Sequence, residues 1–211
     1  MPKKTFFNLP IEKKQKITNA LIKHFAYKPY NQVDIEDIAK ECKVAKGSMY
    51  QYFENKKDMY FYAINEAIRT SLDMIENYNF EDISLFEYVE RSFELTWNFY
   101  LKNPSAYILL EKAAFYDDSP YKEEVQELLM SKTKALLSNI ILKNQKSGFI
   151  RDDISSELIL IFLEEATWSL KKFLIELAKT KGIKVSDLSK EYIAKISKEY
   201  MELIKNGISR V

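Results

Sequence analysis

Histidine and cysteine are almost absent from this 211-residue chain, which contains one residue of each, His24 and Cys42. A single cysteine excludes an intrachain disulfide and a cysteine-cluster metal site. A single histidine leaves zinc triads and histidine-based nucleophile systems incomplete. We therefore interpret His24 as a partly buried structural residue and Cys42 as a small buried apolar residue. Neither a metal nor another cofactor is predicted.

Glycine and proline are also scarce, with four and five residues. These numbers are too small for an all-β protein with many tight turns, and they favour helices. The chain has no run of 18 apolar residues, so no transmembrane helix is expected. Its first residues lack the long apolar run of a signal peptide or anchor. With 46% apolar and 30% charged residues, a cytoplasmic all-α protein without membrane contact is expected.

Apolar residues at helical spacing recur along almost the whole chain and predict about nine helices. Gly148, Gly182 and Gly207 each follow such a segment, where a left-handed glycine would end a helix. We divide the chain into an N-terminal three-helix module, residues 1–55, and a helical body, residues 56–211, connected by the helix from about 56 to 77. The predicted helices are residues 10–28, 35–42, 44–53, 56–77, 83–102, 104–116, 120–147, 155–181 and 186–207.

Charge is distributed unevenly along the chain, although the net charge is +1. Residues 1–60 contain twelve lysines and seven acidic residues, a balance of +5, and the remainder has a balance of −4. A basic module on a slightly acidic body is typical of a protein that faces a polyanion. A lysine-rich solvated surface is the alternative.

Two short helices within this basic segment, 35–42 and 44–53, fit a helix-turn-helix, with Asp34 as the N-cap of the first. Met49 and Phe53 are spaced for the core. The other positions of the second helix are small or polar enough to approach base edges and phosphates. Tyr50 and Tyr52 could instead be partial core residues with solvated hydroxyls. The second helix is therefore a candidate for insertion into the major groove.

In and around this helix-turn-helix, the residues that match a known family motif are Asp34–Ala39, Val44, Lys46–Tyr50, Tyr52, Phe53, Asn55 and Lys56. With these residues the segment of about 10–60 resembles the tetracycline-repressor (TetR) family of bacterial transcription regulators. The resemblance implies a double-stranded, pseudo-palindromic DNA operator and a body that dimerises through its last two long helices and binds a small-molecule effector. It places base-reading roles on Lys46, Gly47, Ser48 and Gln51, and phosphate contacts on Tyr50, Tyr52 and Lys56.

The chain departs from the family pattern at three places. Lys43 stands at the usual turn glycine, so a lysine is expected to take a positive φ at a cost of about 1 kcal/mol or more. Ala45 replaces the usual Ser/Thr cap. Asp34 and Glu36 lie near positions that often approach DNA, where a carboxylate would repel phosphate. We interpret Asp34 first as a helix cap.

The body is rich in aromatic residues, which predict either core packing or a pocket for an apolar or planar ligand. Four acidic residues on the same helices, Glu94, Glu111, Glu164 and Glu165, could face a cationic ligand or water. The candidate ligand-binding residues are Phe93, Trp97, Tyr100, Tyr107, Phe115, Tyr116, Phe162 and Trp168.

The last two helices carry apolar stripes with charged borders, which predict a four-helix interface between two copies of the chain. The alternative is that the stripes are buried against their own body. The candidate interface residues are Leu158, Ile161, Glu165, Ile193, Ile196, Tyr200, Leu203 and Ile204.

The sequence thus favours a DNA-binding regulator, a repressor released by a small ligand, over two alternatives. One is an all-α enzyme using Glu164 and Glu165, but adjacent helical residues point about 100° apart and do not converge. The other is an adaptor of the same fold that binds protein, which salt-dependent binding to duplex DNA would separate from a repressor.

Overall fold

The computed structural model describes residues 1–75, 83–183 and 185–208, which are predominantly helical. These residues form ten α-helices and two short 3-10 helices, Tyr30–Gln32 and Val185–Asp187. The α-helices are α1 Lys4–Phe7, α2 Ile11–Tyr27, α3 Ile35–Cys42, α4 Lys46–Tyr52, α5 Lys56–Ile75, α6 Leu85–Lys102, α7 Pro104–Phe115, α8 Lys122–Lys146, α9 Ser156–Thr180 and α10 Lys190–Ile208. The predicted all-α class is confirmed. No helix in the described ranges combines the length and apolar character needed to cross a membrane.

The described α-helices exceed the predicted number because of α1. Its four residues are too few to show a helical period, so the sequence pattern could not reveal it. Phe6, within α1, is nevertheless 1% exposed. Burial of this ring against the rest of the chain therefore explains the helix better than local propensity does.

Two of the three predicted glycine stops are confirmed. Gly148 and Gly182 have φ values of 73° and 65°. The third prediction is wrong, because Gly207 lies within α10. The next residue, Ile208, is 4% exposed, and its carbonyl accepts a 3.2 Å hydrogen bond from the backbone N–H of Arg151. Burial of Ile208 offsets the cost of about 1 kcal/mol for a glycine inside a helix.

The chain divides into two compact units. The first unit comprises the described residues of 1–77 together with 98–126, and it contains α1 to α5 and α7. The second unit comprises the described residues of 78–97 together with 127–211, and it contains α9 and α10. Helices α6 and α8 contribute residues to both.

In the first unit, α2 packs against α3, α5 and α7, and α7 also packs against α5. Met49 and Phe53 are fully buried, which confirms their predicted core role. Cys42 is 4% exposed, and the nearly buried His24 side chain bonds to Glu41 through Nε2 at 2.9 Å. These observations confirm the structural interpretation of both residues.

The second unit has an apolar core that includes Leu85, Ile141, Leu163 and Ile204. Asn144, 3% exposed, lies among these residues. Its side-chain oxygen accepts from the Leu85 N–H at 2.9 Å, and its amide donates to the Ile140 carbonyl at 2.9 Å. This buried amide supplies a partner for the first turn of α6, as buried polar groups require.

Candidate nucleic-acid interface

The first short helix, α3, is capped at both ends by its own local sequence. Asp34 Oδ1 accepts from the N–H of Glu36 at 2.8 Å, which confirms the predicted N-cap. Asp37 does not complete a capping box, because its carboxylate pairs with Lys28 Nζ at 3.0 Å. These bonds fix the start of α3, which is the first helix of the helix-turn-helix.

Lys43 forms the turn between α3 and α4 with φ 58° and ψ 44°. The predicted positive φ is confirmed. The N–H groups of Lys43 and Val44 donate to the carbonyls of Lys40 and Ala39 at 3.0 Å each. This bonding is a Schellman motif, in which glycine is the preferred residue. The motif sets the direction in which α4 leaves the turn.

The second short helix, α4, has one buried face and one exposed face. Met49 is fully buried and fixes the inner face. Lys46, Gly47 and Gln51 are exposed, and Ser48 is partly exposed. A Cβ added to Gly47 would meet no atom within 4 Å, so packing within the chain does not require glycine there. The predicted base-reading residues therefore share an open surface.

The two tyrosines of α4 differ in exposure. Tyr50 is 41% exposed, whereas Tyr52 is 8% exposed. The Tyr52 ring lies 6.1 Å from the ring of Phe6, between centroids. Burial assigns the ring of Tyr52 to the core, which was the alternative interpretation of this residue. Of the two predicted phosphate contacts, Tyr50 has the better access.

Lys46 lies within 4 Å of two carboxylates at the start of α3, those of the N-cap residue Asp34 and of Glu36. Its Nζ is 3.7 Å from Asp34 Oδ1 and 3.8 Å from Glu36 Oε2. All three side chains are about half exposed, so these ion pairs contribute little stability. Asp34 and Glu36 thus partly neutralise a lysine that is predicted to read bases. A base edge or phosphate would compete with them for Lys46.

The start of α5 presents two adjacent lysines in different settings. Asn55 Oδ1 accepts from the Asp58 N–H at 2.9 Å, so Asn55 caps the start of α5. Lys56 Nζ lies 4.8 Å from the centre of the Tyr30 ring, and partial burial lowers the pKa of its ammonium. Lys57 Nζ instead pairs with Glu124 at 3.0 Å. Of the two, Lys56 is the lysine predicted to contact phosphate.

Residues 17–63 match the family model of the bacterial regulatory proteins of the tetR family. The matched segment runs from α2 into α5 and contains both short helices, the turn at Lys43 and the cap of α5. The chain belongs to the TetR family.

Individual TetR-family and helix-turn-helix proteins show how far the similarity extends. A segment of 54 residues is 41% identical to the uncharacterised HTH-type transcriptional regulator YuxN of Bacillus subtilis (strain 168), covering 26% of this chain and 19% of YuxN. The chain therefore spans about a fifth of that relative. It is 25% identical over 166 residues to IcaR of Staphylococcus aureus (strain Newman), a negative transcriptional regulator of the biofilm operon icaADBC, covering 75% of this chain and 83% of IcaR. A TetR-family regulator of solved structure from Chloroflexus aurantiacus J-10-fl has a TM-score of 0.71 and 26% identity, with full coverage of both chains.

The aromatic residues predicted to line a ligand site in this TetR-family chain are divided between the two units. The side chain of Trp168 lies outside the part of the structure that is described. Phe93 packs against the core of the second unit, and Phe162 is 45% exposed. By residue number, Tyr100, Tyr107, Phe115 and Tyr116 belong to the first unit, and Phe93, Trp97, Phe162 and Trp168 to the second.

Two first-unit members of this set, Tyr107 and Tyr116, lie near a buried acid, Glu111. Glu111 is 9% exposed, which excludes the expectation that it simply faces water. Tyr116 Oη donates to Glu111 Oε1 at 3.4 Å, and burial followed by the Glu111 charge raises the pKa of Tyr116 to about 12. Burial also raises the pKa of Tyr107, whose ring packs edge-on to Tyr100 with centroids 5.0 Å apart. This group is apolar and aromatic with one carboxylate.

The residues predicted to form a dimer interface separate into an outer and an inner set. Leu158, Ile161 and Leu203 are 60%, 55% and 70% exposed, and Glu165 is also exposed. Phe162, predicted to bind ligand, is exposed on the same helix as Leu158 and Ile161. These residues keep an apolar surface available to a partner.

The inner set belongs to the second unit itself. Ile204 is 2% exposed within the core of this unit, so its assignment to the dimer interface is wrong. Tyr200 packs against the same core and donates its hydroxyl to the Ala166 carbonyl at 2.8 Å. Ile193 and Ile196 are partly exposed and stay predicted interface residues. The apolar stripe predicted from the sequence is wider than one interface. It therefore includes residues that face the core of the second unit as well as residues that face solvent.

Proposed function

We propose that the chain binds a pseudo-palindromic DNA operator as a homodimer and represses transcription until a small ligand releases it. The observation that carries this proposal is the two-faced helix α4. Its buried Met49 fixes the helix, while its other face presents exposed small and polar residues. Such a helix can enter the major groove by its N-terminal end. The described relative IcaR is itself a negative regulator.

Within the proposed reading module, residues 1–55, base edges are read by Lys46, Gly47, Ser48 and Gln51. Lysine and glutamine side chains match the hydrogen-bonding groups of the major groove, and glycine lets the backbone approach. Phosphates are held by Tyr50, Lys56 and the hydroxyl of Tyr52, which orient the module without specifying sequence. Action on chromosomal DNA would take place in the cytoplasm.

Dimerisation is proposed through the outer face of α9 and α10. Exposed Leu158, Ile161 and Leu203 form an apolar surface that burial against a second copy would stabilise. A two-fold axis brings the same surface of both copies together. For such a dimer we expect the two copies of α4 to contact half-sites about one DNA turn apart, roughly 34–36 Å.

The proposed effector is a small apolar or aromatic molecule bound in the body, in residues 56–211. The rings of Tyr100 and Tyr107 and the buried Glu111 offer an aromatic surface with one charged group. Both Tyr107 and Glu111 lie on α7, which packs against α2 and α5 in the first unit. A ligand that displaces α7 would therefore change the support of the reading module. A coupling of about 1–3 kcal/mol between the two sites is sufficient for regulation.

The decisive experiment is selection of bound sequences from a random duplex DNA pool with the full chain. We expect enrichment of a pseudo-palindrome whose half-sites repeat at one DNA turn, with affinity that falls steeply with salt. Compounds are then screened for release of the selected operator. Recovery of no preferred sequence, with salt-independent binding to duplex DNA, would favour a protein-binding adaptor instead.

A further inference from the structure

The reading helix α4 has no side-chain cap at its start and one backbone cap bond, from Phe53, at its end. It spans seven residues, and its N-cap residue Ala45 makes no side-chain hydrogen bond. The carbonyls of its last three residues, Tyr50, Gln51 and Tyr52, have no partner within a regular helix. A free helix of this length is not stable in water. The bonds that hold the end of α4 must therefore come from elsewhere in the chain.

Residues 1–9, which we call the N-terminal arm, supply the three missing donors. The three bonds are from Lys3 N to Tyr52 O at 2.7 Å, from Lys3 Nζ to Tyr50 O at 3.1 Å and from Thr5 Oγ1 to Gln51 O at 2.5 Å. The carbonyl of Met49 accepts from the N–H of Phe53, the C-cap residue of α4, at 2.9 Å. Every carbonyl at the end of α4 therefore has a donor.

Phe6 fixes the arm in this position. Its ring is 1% exposed, and its centroid lies 5.1 Å from those of Phe53 and Tyr62. The Lys3 ammonium adds a positive charge at the C-terminal end of α4, where the helix dipole favours a cation. The arm is therefore both packed against the core and bonded to the reading helix.

We propose that Lys3 and Thr5 are positioning residues for DNA reading. The side chains of these two residues hold the backbone carbonyls of Tyr50 and Gln51, the residues whose own exposed side chains are predicted to meet phosphate and base. Loss of either bond frees the end of α4 and lets these side chains take several orientations. This inference rests on the proposed function, because it requires that α4 reads DNA.

Thr5→Val tests the hydroxyl bond, because valine keeps the shape of threonine and removes the donor. We expect about fivefold weaker binding to the selected operator, equivalent to about 1 kcal/mol, with binding to random duplex DNA changed by less than about twofold. Thr5→Ser retains a hydroxyl and should recover most of the lost affinity. Equal losses for valine and serine, or equal losses on operator and random DNA, would contradict the inference.

Lys3→Met and Lys4→Met form a matched pair. Both remove one positive charge from the arm, but Lys4 is exposed and gives α4 no hydrogen bond or ion pair among the described residues. We expect Lys4→Met to weaken binding to the operator and to random DNA by the same small factor. Lys3→Met should in addition lower the ratio of operator affinity to random-DNA affinity several-fold. Indistinguishable ratios for the two variants would overturn the role of Lys3.

Amide hydrogen exchange in the DNA-free full chain separates positioning from a general loss of folding. In Thr5→Val, the amides of α4 should exchange faster while those of α2 and α5 keep wild-type protection. Faster exchange in α4 with an unchanged operator-to-random ratio would show a structural cap without a role in reading. If the wild-type chain selects no operator at all, the proposed function fails; if it selects one that Thr5→Val binds equally well, this inference alone fails.

Discussion

The exposed surfaces of the two units differ in the chemistry they present. In the first unit, the surface around α3, α4 and the start of α5 is charged, and Lys46 is partly neutralised by Asp34 and Glu36 within 4 Å. In the second unit, Leu158, Ile161, Phe162 and Leu203 on α9 and α10 are 45% to 70% exposed. The first surface is stable in water on its own, whereas the second gains free energy when it is covered.

The two units also differ in the residues that form their left-handed turns. The left-handed turns of the second unit are made by Gly148 and Gly182, whereas the turn before α4 in the first unit is made by Lys43. Glycine adopts this conformation without the steric cost that a lysine incurs. The first unit thus keeps a strained, charged residue beside its proposed DNA surface. The difference suggests that each unit is adapted to a different partner, a polyanion and a second copy.

The largest expected effect is on the apolar surface. Ile161→Glu places a charge in the proposed interface, where an unpaired buried carboxylate costs about 3–5 kcal/mol. We expect the dimer to dissociate in sedimentation velocity and operator binding to fall by more than about a hundredfold. Leu142→Glu is the matched control, because Leu142 is an apolar residue of α8 that is 44% exposed outside the proposed interface. Dissociation by both variants, or by neither, would contradict the assignment of the interface to α9 and α10.

An intermediate effect is expected at the start of α5. Lys56→Met removes a proposed phosphate contact and should lower the slope of log affinity against log salt by about one unit for all sequences. Lys57→Met removes the adjacent charge, which is already paired with Glu124 at 3.0 Å. We expect a smaller change of slope for Lys57→Met in fluorescence-anisotropy titrations over a salt series. Identical slopes for Lys56→Met and the wild type would remove Lys56 from the phosphate contacts.

Local features of both units could be predicted from the sequence. The cap at Asp34 and the left-handed turns at Gly148 and Gly182 depend on residues close in the chain, so the sequence pattern carries them. The left-handed turn at Lys43 is instead implied by the family resemblance. The core roles of Met49, on α4, and of Phe53, its C-cap residue, follow from their helical i, i+4 spacing. These features decide the position of the reading helix.

Features that depend on distant contacts could not be predicted. The capping of α4 by Lys3 and Thr5 joins residues separated by more than 40 positions, and no periodicity signals it. The ion pairs of Lys46 with Asp34 and Glu36 likewise depend on how α3 and α4 pack against each other, so the sequence pattern does not show them. The wrong assignments at Gly207 and Ile204 have one cause, because burial within the second unit outweighs what the local pattern favours.

The smallest expected effect is at the turn. Lys43→Gly removes the strain of a left-handed lysine, which costs about 1–2 kcal/mol. Part of this gain in stability is lost, because glycine increases the conformational entropy of the unfolded chain. We expect the free energy of unfolding in urea to rise by about 1 kcal/mol. Gly182→Lys reverses the exchange in the second unit, at φ 65° with no atom within 4 Å of an added Cβ, and should destabilise by a similar amount.

The stability and the DNA affinity of Lys43→Gly together show whether DNA contact explains the lysine at this turn. If its charge contributes to the DNA surface, the stabilised variant should bind random duplex DNA more weakly, with a salt slope reduced by up to about one unit. Gly182→Lys should leave DNA binding unchanged, because the second unit is not proposed to touch DNA. A Lys43→Gly variant that is more stable and binds DNA as well as the wild type would show that DNA contact does not explain the strained lysine. The difference in backbone between the two units would then have no connection to their partners.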